Sequence, residues 1–367
     1  MSQSQDPSAD VRHRQASAAS IALALYGLLA IAVLYTLYVA SDFFIPVTAA
    51  IVLNLLLTPV TRAMMRWFIP PPIGAALVIL ALSGGLAAGF VGLSQPVAEW
   101  MERMPQISAE LQYKLHALRE PVDKVRKASE EVEQAASGGG DQPEEVVIKT
   151  PGLLERATQT VQTVGLHLVA TLVLLYFLLA VGEMFTEKLV RVMPSFADKR
   201  KAFSVVRQVE KDVSRYLLTV TIINICLGFV IGTGLYLLGL ENAVLWGAAA
   251  AVLNFIPYFG ALLGILLVGL ASILAFPTLG QAMLGPAIYL AANAMESQFI
   301  TPLALSRRLT MNPVVLFLSV TFWGYIWGVA GALLAVPILV AVKVVCDHVE
   351  ALKPFGQFMS GREGRGT

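Results

Sequence analysis
The feature that most limits what this chain can fold into is an interruption. An apolar run from Ala243 to Phe276 contains Asn254-Phe255-Ile256-Pro257-Tyr258-Phe259-Gly260 and then Gly264. Pro257 has no N–H to give a helix, and its ring pushes Ile256 away from α geometry. A helix starting at Ala243 is therefore expected to break between Asn254 and Gly260. In lipid an unpaired backbone group costs several kcal/mol, so such a break must sit inside protein or beside water. Taken alone, the stretch also fits a plain proline kink in an ordinary membrane helix.

Composition supplies the lipid setting. The chain has 367 residues, 56% hydrophobic and only 14% charged, against about a quarter charged in soluble domains. Apolar runs of about 20 residues recur, so the expected fold class is all-α: a polytopic integral membrane protein with broken or re-entrant helices and a small extramembrane helical region. A net charge of +1 gives no sign of a nucleic-acid partner. Cys226 and Cys346 lie in or beside separate apolar segments and read as packing residues, and the four histidines show no ligand spacing. No metal or cofactor is expected. No nucleophile with a base and no phosphate-binding loop appears, so the chain does not read as an enzyme.

In order, residues 1–17 form a polar tail with Arg12, His13 and Arg14, and 18–94 hold spans at Ala18–Ala40, Ile45–Val60 and Ile73–Leu93. In 95–156, Val97, Met101, Met104, Ile107 or Ser108, Leu111, Leu115, Leu118, Val122 and Val125 make an amphipathic stripe, with Pro105 and Pro121 expected to kink or divide it. The stripe packs within a small domain, lies on the bilayer, or meets another subunit. Gly138-Gly139-Gly140 and Asp141–Glu145 form an acidic linker. Residues 157–342 form the membrane core, with spans at Thr160–Val181, Tyr216–Leu240 and Leu279–Ile300 and a basic segment at 185–215. The tail is 343–367.

Lys and Arg placement puts Arg12–Arg14, Arg62–Arg66, Lys188–Arg215, Arg307–Arg308 and Lys343 onward in the cytoplasm, with the N-terminus, and leaves 95–156 outside. Keeping that parity requires Ala243–Phe276 to return to the side it entered. The same holds for the second interrupted run, Pro313–Val342, with Gly324, Gly328, Gly331 and Pro337. Each run is expected to be a hairpin of two half-depth helices, the two entering from opposite faces. Secondary transporters build central sites from such broken elements. Two full spans in each run would keep the same parity; one long tilted helix is the remaining alternative.

These residues also carry a resemblance. Pro46…Asn54…Pro59, Tyr176-Phe177-Leu178-Leu179, Asn254-Phe255-Ile256-Pro257-Tyr258, Glu296…Pro302 through Asn312-Pro313, and Gly324…Gly328-Val329-Ala330-Gly331 on to Pro337 resemble the autoinducer-2 exporter family of bacterial membrane proteins, over Ala18 to Val342. The resemblance implies a transporter of the bacterial inner membrane, exporting autoinducer-2 or another small polar signal, or exchanging sodium for protons. Val181 stands where the family pattern usually has an aspartate, so any coupling carboxylate there is missing or replaced by Glu183.

Glu296, near the end of an apolar span, is the leading ionisable candidate for a substrate or ion pathway, since intramembrane carboxylates usually face a pathway or a partner. Pairing with Arg307 or Arg308 is its plainer role. Asn254 either contacts a polar ligand or caps the broken helix. Asn224 and Asn293 are pathway or interhelical hydrogen-bond residues. Pro257 and Gly260 belong to the same pathway segment and shape its backbone rather than touch substrate, and Tyr258 lines the pathway or is an interfacial aromatic. Gly264, Gly324, Gly328, Gly331 and Pro337 read as hinges or helix breaks. Expected partners are a small-molecule or ion substrate, membrane lipid and further copies of the chain as a homo-oligomer. The competing class is an oligomeric membrane scaffold or passive pore without coupled transport.

Overall fold
The computed structural model describes residues 7–130, 153–182, 196–304 and 311–361. The acidic linker, the start of the basic segment, Glu183 and Arg307–Arg308 lie outside the described residues, as do the side chains of the amphipathic stripe from residue 101 onward. The described chain is helical: α1 (Pro7–Val39), α2 (Ser41–Met65), α3 (Pro71–Glu130), α4 (Leu153–Val181), α5 (Phe196–Leu238), α6 (Ala243–Leu253), α7 (Phe259–Ala275), α8 (Leu279–Ala282), α9 (Leu284–Met295), a π-helical turn (Glu296–Ile300), α10 (Thr301–Ala304), α11 (Pro313–His348), a 3-10 turn (Glu350–Leu352) and α12 (Lys353–Met359). Among the described residues, five helices are long and apolar enough to cross a membrane: Ser41–Met65, Pro71–Trp100, Gln162–Val181, Val206–Leu238 and Pro313–His348. Large apolar side chains such as Tyr26, Phe90, Phe229 and Leu237 point outward, as expected where lipid replaces water. This is an all-α polytopic membrane protein.

Helix α5 works as a ruler with two ends. At its starting end, Arg62 of α2 donates to Glu210 at 2.6 Å. At its finishing end, Trp100 of α3 packs edge-on against Trp246 of α6 at 5.1 Å, and the Asn242 amide reaches Glu99 at 3.4 Å. Helices α2 and α4 lie against α3 around Ala50, Ala75, Leu175 and Leu179. Pro105 and Pro121 neither end nor divide α3, whose backbone stays helical to Glu130. Each proline removes one ladder bond, and the turns on either side persist.

The two interrupted runs are both hairpins. In the first, α6 runs back along α5, with Gly247 against Gly228 and Gly232. After the break, α7 lies antiparallel to α9: Gly264 meets Tyr289 and Ser272 meets Gly285. Ile288 of α9 touches Gly234, near the finishing end of α5. That contact fixes the direction, because α7 must return to the end where α6 began for α9 to start there. A rise of about 1.5 Å per residue makes α6 roughly 16 Å long, about half of a ~30 Å hydrocarbon core, and the 17-residue α7 roughly 25 Å, so only the first arm is half-depth.

In the second, α11 folds on itself at Gly328, whose φ of 62° and ψ of −143° are not helical. The arms then run antiparallel: the Ser319 hydroxyl donates to the Ala335 carbonyl at 3.3 Å, Gly324 lies against Ala332 and Gly331 against the Trp323 carbonyl. Val336, Val340 and Val344 pack on Val213 and Leu217 near the middle of α5, on the starting-end side of the first hairpin's contacts at Gly228 and Gly232. The half-depth expectation fails for this hairpin. Its tip reaches α1, where the Trp327 indole donates to the Leu37 carbonyl at 2.9 Å, and its second arm is about 30 Å long. Pro337 causes no break: it is buried inside that arm, where packing against α2 and α5 holds the helix together.

Candidate functional site
The first break is compact and polar. Asn254 ends α6 in helical geometry, and its Nδ2 donates to Oδ1 of Asn224 in the middle of α5 at 2.9 Å. Asn224 is only 2% exposed, and its own Nδ2 has no partner among the described residues. The chain then tightens. Phe255 and Ile256 donate to the Val252 and Leu253 carbonyls at 3.2 and 2.9 Å, and Phe259 donates to the Pro257 carbonyl at 2.7 Å. That last bond closes a three-residue turn centred on Tyr258, at φ 63° and ψ −51°, which is a rare and strained γ-turn. Gly260 must be glycine, because a Cβ would fall 1.8 Å from the Leu253 carbonyl oxygen. Among the described residues no backbone N–H reaches the carbonyls of Asn254 and Phe255.

Helix α9 brings a second group of candidates. Gly285, Tyr289, Asn293 and Glu296 fall at spacings of four, four and three, which is one helical face. Asn293 is buried and donates to the Tyr289 carbonyl at 3.2 Å. By the register of α7 on α9, Asn293 is level with Gly260. Glu296 opens the π-helical turn, a feature often found at functional sites, and accepts the Thr301 hydroxyl. Between Glu241 and Arg307 it is the sole charged residue in the sequence. From the Gly234–Ile288 contact, the helical rise brings Glu296 to nearly the depth of Asn224.

The structure thus joins Asn224 to Asn254 directly beside Pro257, Tyr258 and Gly260, with Asn293 level with Gly260 on the neighbouring helix, while the partner of Glu296 is Thr301. Gly264 is not a hinge: it lies inside α7, where a Cβ would meet the Tyr289 hydroxyl at 2.0 Å. Gly324, Gly328 and Gly331 belong to the second tip, away from the amide pair. Four buried groups escaped sequence reasoning: Ser214, Trp246 and Ser272, whose side-chain polar atoms have no partner among the described residues, and Tyr289 (1% exposed), whose side chain interacts with Asn293. The four-residue spacing of Gly285, Tyr289 and Asn293 was the available signal for Tyr289. Cys226 and Cys346 are free, and among the described residues no group of His, Cys, Asp or Glu could hold a metal. Helix α4 ends at Val181, with Gly182 at φ 55°.

Two oppositely directed broken hairpins flanking one long helix define the class, a multi-pass membrane protein of the transporter kind. The model of the AI-2E family transporters matches residues 28–351, and the chain belongs to that family. It is 26% identical to the AI-2 transport protein TqsA of Escherichia coli over 309 residues, 84% of this chain and 87% of the relative. A putative transport protein of Borreliella burgdorferi is 24% identical over 326 residues, 89% of this chain and 86% of that one. The putative transport protein YhhT of Escherichia coli is 25% identical over 318 residues, 86% and 87% of the two chains. These relatives are transport proteins, not enzymes.

Proposed function
We propose that the chain is a secondary transporter of the bacterial inner membrane, N-terminus in the cytoplasm, that exports a small polar signal or metabolite such as autoinducer-2 by alternating access. The observation that carries this reading is the Asn224–Asn254 amide pair at the tip of the first hairpin. A broken helix in lipid is tolerated where it lines a site, and this one ends on polar groups with unused hydrogen-bonding capacity. Along the α5–α6 seam Gly228 and Gly232 meet Gly247 in close backbone contact beside the Leu227, Ile231 and Trp246 cluster, and the first hairpin moves against α5 at this seam. Such a shift uncovers the amide pair. Glu296 supplies a carboxylate at nearly the same depth and is the residue we assign to ion coupling.

The test is flux into proteoliposomes under imposed pH or sodium gradients, with autoinducer-2 as solute. Asn254→Ala is expected to lower gradient-driven movement at least about tenfold, the loss from removing a hydrogen bond to a ligand. Glu296→Gln is expected to abolish dependence on the coupling gradient. Flux unaltered by either substitution would overturn the site assignment. No flux under any gradient would favour the scaffold.

A further inference from the structure
The helix that follows the second hairpin has three faces. In α12, Gly356 and Met359 are buried against that hairpin, where Gly356 meets Asp347 and the Met359 carbonyl accepts the Asn312 backbone N–H. Phe355 and Phe358, also one turn apart, point away from the protein and are 64% and 73% exposed. Lys353 and Gln357 are exposed on the remaining side, opposite the two rings at about 100° per residue.

Two bare phenylalanines are costly in water and ordinary in lipid. The stripe they belong to does not begin with them. Val342 and Val345 face outward on the last turns of α11, which is long and apolar enough to cross a membrane, and Val349 and Leu352 carry the stripe on to Phe355 and Phe358. The lipid-facing surface of the span therefore continues into the segment after it.

A second observation sets the depth. The tip of the second hairpin bonds Leu37, just before α2 begins, and its second arm lies along α2 by Val52, Leu55 and Leu56. The mouth of the hairpin is thus at the finishing end of α2, where Trp67 and Phe68 project almost free of the protein. Exposed aromatic rings mark the level at which a membrane meets water. Helix α12 sits on the same side of the molecule as that pair.

We propose that α12 lies in the membrane–water boundary as an interfacial helix, with the Phe355 and Phe358 rings sunk among the lipids and Lys353 and Gln357 in the headgroup and water layer. The partner is the bilayer itself. Such a helix gains from each ring buried at the headgroup–acyl boundary. Its third face closes the mouth of the second hairpin, so lipid holds that closure in place. The inference does not depend on which solute crosses the membrane.

The test is spin labelling of the full chain in phosphatidylcholine nanodiscs, in a background of Cys226→Ala and Cys346→Ala. Labels at Phe355→Cys and Phe358→Cys are expected to relax faster with oxygen, which partitions into lipid, than with a water-soluble nickel chelate. A label at Gln357→Cys is expected to do the reverse. Labels at the two phenylalanine positions reached mainly by the chelate would overturn the proposal. Labels shielded from both agents would put protein, a second copy included, on that face and overturn it too. Because Cys346 packs beside Met359, a second measurement keeps both cysteines. In hydrogen exchange on the same nanodiscs, Phe355→Ser combined with Phe358→Ser is expected to speed exchange of the α12 amides several-fold and to leave those of α6 unchanged. Gln357→Ser is expected to change neither. Unaltered α12 exchange in the double variant would also sink the proposal.

Discussion
The two hairpins solve one problem in opposite ways. Each must reverse a helix where backbone groups cannot be left to lipid. The second does it with glycine: Gly328 adopts a positive φ without a Cβ penalty, Trp323 and Trp327 pack at 4.7 Å between ring centroids, and the Trp327 indole ties the tip to α1. The first does it with strain. Tyr258 holds a positive φ that a side chain resists, and the nearby polar group is bonded to an amide that is itself half unsatisfied. A tip that is relaxed, aromatic and anchored is suited to hold position. A tip that is strained, polar and set beside a glycine-lined seam is suited to move and bind.

That contrast can be broken in three ways. The largest effect is expected where both hairpins share a requirement. A Cβ at Gly260 or at Gly331 would lie 1.8 or 2.0 Å from a backbone carbonyl oxygen. Either Gly260→Ala or Gly331→Ala should cost more than about 3 kcal/mol, read as loss of a monodisperse peak in size-exclusion chromatography. If one is tolerated, that hairpin is looser than described. Next, the turn residues should respond with opposite signs. Gly328→Ala is expected to destabilise by about 1–3 kcal/mol, while Tyr258→Gly stabilises by roughly 1 kcal/mol as strain is released. Melting temperatures that move in the same direction would remove the distinction between the tips. The smallest effect belongs to the anchor. Trp327→Phe keeps the ring but deletes the bond to Leu37, at about 1 kcal/mol. It should lower the melting temperature by a few degrees without changing the affinity for a transported solute.

How legible all this was in the sequence depends on what each residue does locally. Pro257 announces a break because the missing N–H acts on its own helix, and the folded chain leaves α geometry between Asn254 and Tyr258. Pro337 gives the same local signal but sits in a continuous arm, because neighbouring helices decide whether a proline bends or merely loosens. Gly264 looks like a hinge in one dimension and is a docking point for Tyr289 in three. The depth of the second hairpin was hidden for the same reason, since a contact between Trp327 and Leu37 joins residues 290 positions apart. Ser272 was invisible as a candidate because nothing in sequence distinguishes a hydroxyl that finds a partner from one that does not, whereas Tyr289 shared a readable four-residue spacing with Gly285 and Asn293.

The mouth of the second hairpin is closed by the segment that follows it. The Asn312 backbone N–H donates to the Met359 carbonyl at 3.0 Å, Met311 pairs with Ser360 in an isolated antiparallel bridge, and Gly356 is pressed against the Asp347 carboxylate, which accepts from the buried Lys343 at 2.6 Å. This clasp has a consequence for biogenesis. The two arms are threaded before the residues that lock them have left the ribosome, so the hairpin spends its first moments in the bilayer unlatched. A nascent chain cut short ahead of Met359 would deliver every membrane segment and still leave the last one free to slip.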